Sequence, residues 1–526
     1  MPSDKPITTA CDACRRRKVK CNGEQPCDRC ENAGLTCRTT IARRKKGRQG
    51  ATATVLRELR QAAETLETQT PSPQAKVSHH QFFKSEISNP TIVKSCADYF
   101  FARMLGTVPI LLPTTFQSHV DRMAECPHSC CLVTAFCAFV CMQTGYTSCD
   151  TLDNSKASLG RSLLDEALAA RRHLDPFAAP SRNGITIAFL LYGCQIGMGN
   201  QRQAYYFLRE ATTLYTAGIL DRPDARGDED AGNLFWLLVI SERAHAIRRH
   251  RPITLQITPD SPILDDNKSD GFSIGFRCLA DLYRPFDQKF LARWNGTDPT
   301  LSREVIIQLE DHLQQAVPAD LELPDILLAD LRVSQQWLRT MIWQLATSAG
   351  FLSSTPSNPC LGFGYPLEIA RDLSLATWKL SKESLETHGV GLVEKIFEIT
   401  CTLTDVMACM PPAGVRSSSF DLGPQDYLKH FGTLIHGLPG GSSKYLPLLL
   451  SKIGQTLPSM LVPLTRHLGM ADGDLENHVL PENDMGSPIG LRSEWNKGLN
   501  WAEMSRIGDK TPELERRVQL GEPSSL

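Results

Sequence analysis

Six cysteines near the N-terminus, Cys11, Cys14, Cys21, Cys27, Cys30 and Cys37, follow the spacing C-x2-C-x6-C-x5-C-x2-C-x6-C. The pattern is two copies of C-x2-C-x6-C joined by a five-residue loop. A C-x2-C step brings two thiolates close enough to grip one tetrahedral zinc, at about 2.3 Å per Zn–S bond. Two tetrahedral sites need eight ligand positions, and six cysteines fill them only when two of them bridge both metals. The internal repeat makes the first cysteine of each half, Cys11 and Cys27, the natural bridges. One zinc then takes Cys11, Cys14, Cys21 and Cys27; the other takes Cys11, Cys27, Cys30 and Cys37. No position stays open for water, so both ions are structural and not catalytic. A segment this short cannot form a sufficient core, so metal binding must supply its folding free energy.

The same segment is basic. Residues 1–50 hold 13 Lys/Arg against 5 Asp/Glu, a net of +8, whereas the remaining residues hold 43 against 53, a net of -10. The formal charge of -2 therefore hides a split, and a basic end on an acidic body suggests nucleic acid. Between Cys14 and Cys21 run Arg15, Arg16, Arg17, Lys18, Val19 and Lys20. The start, Met-Pro-Ser-Asp-Lys-Pro, is polar and lacks the apolar run of a signal peptide. No apolar stretch reaches the roughly 18 residues of a membrane helix, and Cys130–Met142 is too short. The 18 cysteines are read accordingly as those of a reducing compartment, where closely spaced pairs hold metals rather than disulfides.

The cysteine spacing, with "CDACRRRKVKC" and Pro26 in "QPCDRC", resembles the fungal zinc binuclear cluster DNA-binding domain. The resemblance covers about residues 7–40. It implies two structural zinc ions, a tight turn at Pro26, and a first helix docked end-on in the major groove over a CGG triplet. Arg17 and Lys18 match the family positions that reach base edges, and Arg or Lys against guanine O6/N7 is the commonest specific contact. Arg15, Arg16 and Lys20 then contact phosphates, which position the domain without reading sequence. Arg43, Arg44, Lys45 and Lys46 read as backbone contacts, a nuclear-localisation run, a charged linker, or all three.

Past the head, Val55, Leu59, Ala62 and Leu66 recur at four, three and four, under two heptads. A short dimerisation helix and a helix packed on its own chain both remain open. "TQTPSPQAKVSHH" is Pro/Ser-rich and reads as a hinge. From about residue 90 to 465, apolar residues recur at three and four and strand-like alternation is rare, which predicts an all-α body. "AYYFLREATTLYTAGILD" and "FWLLVISERAHAIRRHRPITL" resemble the middle homology region of fungal zinc-cluster transcription factors, the subgroup of maltose and amylase regulators and secondary-metabolite activators. That resemblance implies a regulatory region, but no residue identifies a ligand. Trp236, Leu237, Leu238 and Ile240 are expected in the core, and Glu242 with Arg243 and Arg248 in a structural ion network. Cys130, Cys137 and Cys141 step by seven and four along an apolar run and are expected on a buried helix face rather than around a metal. "GLPGGSSK" lacks the spacing of a phosphate loop, and no nucleophile elbow or zinc-protease motif is present. The polar tail mixes Trp495, Leu499 and Trp501 with acids and reads as a recruiting segment or a terminal helix.

The expectation is a mostly α protein in six stretches: a zinc binuclear cluster at 7–40, a basic linker at 41–50, a possible dimer helix at 51–68, a hinge at 69–89, a helical regulatory domain at 90–465 and a polar tail at 466–526. Its function is expected to be that of a nuclear, sequence-specific transcription regulator and not an enzyme. It would bind double-stranded DNA at CGG half-sites as a homodimer, with coregulators as further partners and no membrane. The pathway is expected to be a secondary-metabolite cluster, with sugar utilisation as the alternative. A zinc-stabilised interaction module that does not read DNA is the competing class.

Overall fold

The structure is a computed structural model, and it describes residues 10–34, 36–38, 89–144, 154–175, 178–220, 229–264, 269–409 and 422–470. The expected basic linker and dimer helix, and the tail beyond 470, lie outside the described residues. The chain divides into two compact units, Met1–His79 and His80–Leu526, taken separately below.

The head contains two short helices, α1 (Asp12–Arg17) and α2 (Asp28–Glu31). Each begins directly after the first cysteine of a half, and each opens with an aspartate, whose charge suits the positive end of the helix dipole. The buried cluster of this unit is made of cysteines, Cys11, Cys14, Cys21, Cys27 and Cys30, with Ala13 and Cys37 packed against it. The backbone N–H of Asp12 donates to the carbonyl of Arg38 at 2.9 Å and closes the head's two ends on each other. The Gln25–Pro26 bond is cis.

The body is helical, and its described residues form no strand, only an isolated bridge between Ser353 and Gly362. Its first half runs α3 (Pro90–Tyr99), α4 (Pro113–Arg122), α5 (Pro127–Thr144), α6 (Asn154–Arg171), α7 (Arg182–Met198), α8 (Gln201–Tyr215) and α9 (Glu229–Arg249). Its second half runs α10 (Gly271–Tyr283), α11 (Gln288–Trp294), α12 (Arg303–Ala316), α13 (Asp325–Ser348), α14 (Tyr365–Thr377), α15 (Lys382–Glu386), α16 (Gly389–Cys409), α17 (Pro424–Gly437), α18 (Leu446–Thr456) and α19 (Leu461–His467). Side-chain caps set several starts. Asn89, Ser181, Asp270, Asp287, Ser302 and Ser381 each accept from a backbone N–H in the first turn, satisfying donors that have no partner within the helix.

One contiguous core runs from Val93 to Leu464. In the first half α5 packs against α6 and α7, and α7 against α8; in the second, α13 and α16 pack together and each meets α14. Helices buried on all sides should be apolar all round. From Cys130 to Cys141 every residue of α5 is buried, so "CLVTAFCAFVC" is an interior helix. Cys130, Cys137 and Cys141 lie in that core, with Cys96 of α3 bringing its sulfur 3.9 Å from Cys141. Trp236, Leu237, Leu238 and Ile240 are core residues as well, at 2%, 4%, 0% and 8% exposure. Where α7 crosses α5, Gly193 is required: a Cβ there would stand 2.2 Å from the Phe139 ring. Among the described residues no helix is long and apolar enough to cross a membrane.

Candidate metal centre and nucleic-acid interface

The C-x2-C steps straddle the starts of α1 and α2, and this local geometry gathers the thiols. Cys11 Sγ lies 3.7 Å from Cys27 Sγ and 3.5 Å from Cys30 Sγ. Cys14 Sγ lies 3.6 Å from Cys27 Sγ and 4.0 Å from Cys30 Sγ. All four sulfurs are buried and stand within 4.8 Å of one another. A tetrahedron with Zn–S arms of about 2.3 Å has S···S edges of about 3.8 Å. The thiols are free rather than paired as disulfides, so this donor set fits a tetrahedral zinc, but it takes two thiols from each half and matches neither of the two expected tetrads. Cys37 joins from the end of the head, where its sulfur accepts from the Cys27 backbone N–H at 3.4 Å. Cys21 is buried in the same cluster.

The four thiols are shifted in opposite directions. The Cys14 backbone N–H draws Cys11 down to about 6. Burial pushes Cys14 up to about 12 and raises Cys30 as well. Burial alone would also raise Cys27, but the Cys30 backbone N–H and neighbouring thiols hold it below its ordinary value. Thiolates crowded this closely repel one another, and a divalent cation among them removes that penalty. Zinc bound here has structural chemistry: it holds the two halves together and releases thiol protons as it binds.

The cations sit on the outside of this cluster. Arg16, Arg17, Lys18, Val19 and Lys20 are exposed. Arg15 lies on α1, and its side chain is outside the described residues, as are Arg43, Arg44, Lys45 and Lys46. Lys18 adopts φ 53°, the left-handed conformation, and the Val19 N–H returns to the Cys14 carbonyl at 3.1 Å. That is a Schellman-type helix end, rarely built on a residue other than glycine. It anchors the exposed run to a zinc-site cysteine, so Arg17 and Lys18 leave the helix at a fixed point.

In the body the expected network of Glu242, Arg243 and Arg248 takes a different form: the three do not pair with one another. Glu242 accepts from the backbone N–H groups of Thr254 at 2.8 Å and Leu255 at 2.9 Å, and from Arg209 at 3.1 Å. It thereby pins the "RPITL" segment back onto α9. Arg243 donates to the carbonyls of Tyr283 and Arg284, both at 2.7 Å, and so caps the end of α10. Burial lowers Arg243 to about 10, which leaves it charged at neutral pH. Arg248 meets Glu394 at 3.3 Å and stacks over Trp337 at 4.6 Å. Asp330, Glu394, Lys395 and Glu398 form interior charge partners that periodicity alone does not single out; the polar letters inside "GLVEKIFEIT" were the available signal.

Comparison with known proteins agrees with this geometry. Residues 9–46 match the family model of the fungal Zn(2)-Cys(6) binuclear cluster domain. The chain is similar to the maltose fermentation regulatory protein MAL13 of Saccharomyces cerevisiae, 24% identical over 413 residues, 76% of this chain and 84% of that protein. It is similar to the probable sucrose utilization protein SUC1 of Candida albicans, 22% identical over 421 residues, 76% and 79% of the two chains. A shorter likeness, 41% identical over 64 residues and 12% of each chain, is to the citrinin biosynthesis transcriptional activator mrl3 of Monascus ruber.

Proposed function

We propose, from the premise that the head is a fungal Zn(2)-Cys(6) binuclear cluster domain on a chain homologous to fungal transcription regulators, that this protein is a nuclear activator reading CGG-containing DNA. The observation that carries the reading is the exposed run Arg16–Lys20, fixed by its helix end to a four-thiol site of zinc geometry. Cations on a flexible tail would only raise non-specific affinity. Cations held rigidly can place a donor against a base edge. In this reading Cys11, Cys14, Cys21, Cys27, Cys30 and Cys37 hold two zinc ions, Arg17 and Lys18 read bases, and the remaining basic residues contact phosphates. A homodimer, joined through residues 51–68, spans two half-sites.

The similarities bear on the pathway by their extent. Those that span about three quarters of the chain include the maltose fermentation regulatory protein MAL13 and the probable sucrose utilization protein SUC1, and a respiratory transcription factor matches over 259 residues, whereas the citrinin activator is matched over 64 residues. Control of sugar-utilisation genes is therefore the better-supported reading, ahead of a secondary-metabolite cluster. The relatives are regulators and not enzymes, and the same is proposed for this chain.

Selection of bound sites from random DNA, with the full-length zinc-loaded protein, tests DNA reading and dimer geometry together. The expected product is a pair of CGG triplets at one spacing. Lys18→Ala should cost about 1–3 kcal/mol and relax preference at one triplet position. Lys and Ala have the same left-handed backbone cost there, so the variant isolates the side chain. Equal weakening on all sequences would make Lys18 a phosphate contact, and absence of any CGG enrichment would leave the interaction-module reading in place.

A further inference from the structure

Of the six head cysteines, the structure gathers four. Cys11, Cys14, Cys27 and Cys30 bring their buried sulfurs within 4.8 Å of one another, and neither Cys21 nor Cys37 belongs to that group. The four edges that join one half to the other are short and nearly equal: 3.7 Å for Cys11–Cys27, 3.5 Å for Cys11–Cys30, 3.6 Å for Cys14–Cys27 and 4.0 Å for Cys14–Cys30. They bracket the roughly 3.8 Å edge of a tetrahedral zinc–thiolate site. Chain spacing supports the same grouping. With Cys21 and Cys37 set aside, the head reads C-x2-C-x12-C-x2-C, the pattern of one zinc held by two C-x2-C pairs.

The remaining two thiols stand close by. Cys37 Sγ accepts from the Cys27 backbone N–H at 3.4 Å, and Cys21 is buried in the same cysteine cluster at 5% exposure. The gathered set differs from each of the two expected tetrads by one thiol. Exchanging Cys30 for Cys21 gives the first tetrad, and exchanging Cys14 for Cys37 gives the second. Cys11 and Cys27, the expected bridges, belong to all three sets.

We propose that the head takes up its first metal ion in a mononuclear site made by Cys11, Cys14, Cys27 and Cys30, and becomes a two-metal cluster only when a second ion arrives. One bond to the first ion then breaks as another forms, Cys30 giving way to Cys21 or Cys14 to Cys37. Both routes end at the same pair of tetrads, with Cys11 and Cys27 shared. Each thiol that enters as a ligand gives its proton to solvent, and no electron moves. The proposal rests on the reading of the head as a two-zinc cluster, whose assembly it orders. A one-metal head has the starts of α1 and α2 clamped together, because each C-x2-C pair straddles one of them. The segment carrying Cys21 and the end carrying Cys37 are fastened only by the second ion.

Cobalt(II) titration of the full-length, metal-free, reduced protein tests this, followed by optical absorption and electron paramagnetic resonance. At one equivalent the unaltered protein should show a tetrahedral, four-thiolate spectrum and the full paramagnetic signal of an isolated high-spin ion. Toward two equivalents that signal should fall, as the bridging thiolates couple the pair. Cys21→Ser/Cys37→Ser breaks both expected tetrads and spares the gathered four. It should bind one ion only, with the four-thiolate spectrum and an affinity within about tenfold of the unaltered protein's first ion. Cys14→Ser/Cys30→Ser breaks all three sets and should weaken the first ion by more than about tenfold. The proposal is overturned if the first equivalent enters as a coupled pair, if Cys21→Ser/Cys37→Ser binds it beyond that tenfold limit or with fewer thiolates, or if Cys14→Ser/Cys30→Ser holds it within that limit. Failure of the two-zinc reading looks different: the unaltered protein itself would saturate at one ion, with its signal undiminished.

Discussion

At the scale of single residues, Glu242 has the most concentrated role in the body. Its carboxylate satisfies two backbone N–H groups and one guanidinium while only 2% exposed. Glu242→Ala leaves those donors without a partner and should cost about 2–3 kcal/mol, read as a shift in the denaturation midpoint of the body. A change within the roughly 0.5 kcal/mol of ordinary surface substitutions would refute the clamp. The sequence displays Glu242, Arg243 and Arg248 as a charged group, and the charges are indeed structural. Their partners were not legible. Adjacent helical residues point in different directions and do not face each other. The partner of Arg248, Glu394, belongs to a helix in the other half of the body. The cysteines of the head were legible in part: spacing named the thiols, but the four whose sulfurs gather, Cys11, Cys14, Cys27 and Cys30, come two from each half and match neither expected tetrad.

At the scale of elements, helices announced themselves by periodicity, and interior helices such as α5 by their unbroken apolar run. What periodicity does not give is how closely two helices approach. The α5–α7 crossing depends on the absence of a side chain at Gly193, over which the Phe139 ring lies. The Gln143 side chain also donates to the Gly193 carbonyl at 2.6 Å, so the backbone has little room to move away. Gly193→Ala is an overpacking change and should destabilise the body by about 1–3 kcal/mol, despite alanine's better helix propensity. Thermal melts would show this as a lower Tm; a raised Tm would mean that the crossing yields readily.

At the scale of the whole molecule, the body should be sensitive to acid. His245 is 5% exposed, and burial, reinforced by Arg249, Arg248 and Arg251, lowers it from 6.5 to about 3. Folded protein keeps this imidazole neutral while the unfolded chain takes up a proton. Stability is therefore complete above about pH 6.5 and falls as the pH drops toward 3, with about 2 kcal/mol lost by pH 5 from this group. His119, His388 and His430 shift in the same direction. Denaturation at pH 7 and pH 5 should show a shallower loss for His245→Gln than for the unaltered protein; identical losses would clear His245. The all-α character of the body and the metal chemistry of the head were both legible, since each follows from local pattern. The cationic run of the head was legible too, whereas the buried pairs of the body, Arg248 with Glu394 and Lys395 with Asp330, were not.

The buried cluster of the head consists of sulfur ligands and little else, whereas the body has a large apolar core of its own. The two units therefore mature on different terms. A newly synthesised chain can complete its body from hydrophobic collapse, but its reader waits for a metal ion. In a zinc-starved cell such copies would persist as folded molecules without a reader. Gene output would then decline with metal supply while the amount of protein held steady, so an immunoblot and a reporter assay would part company.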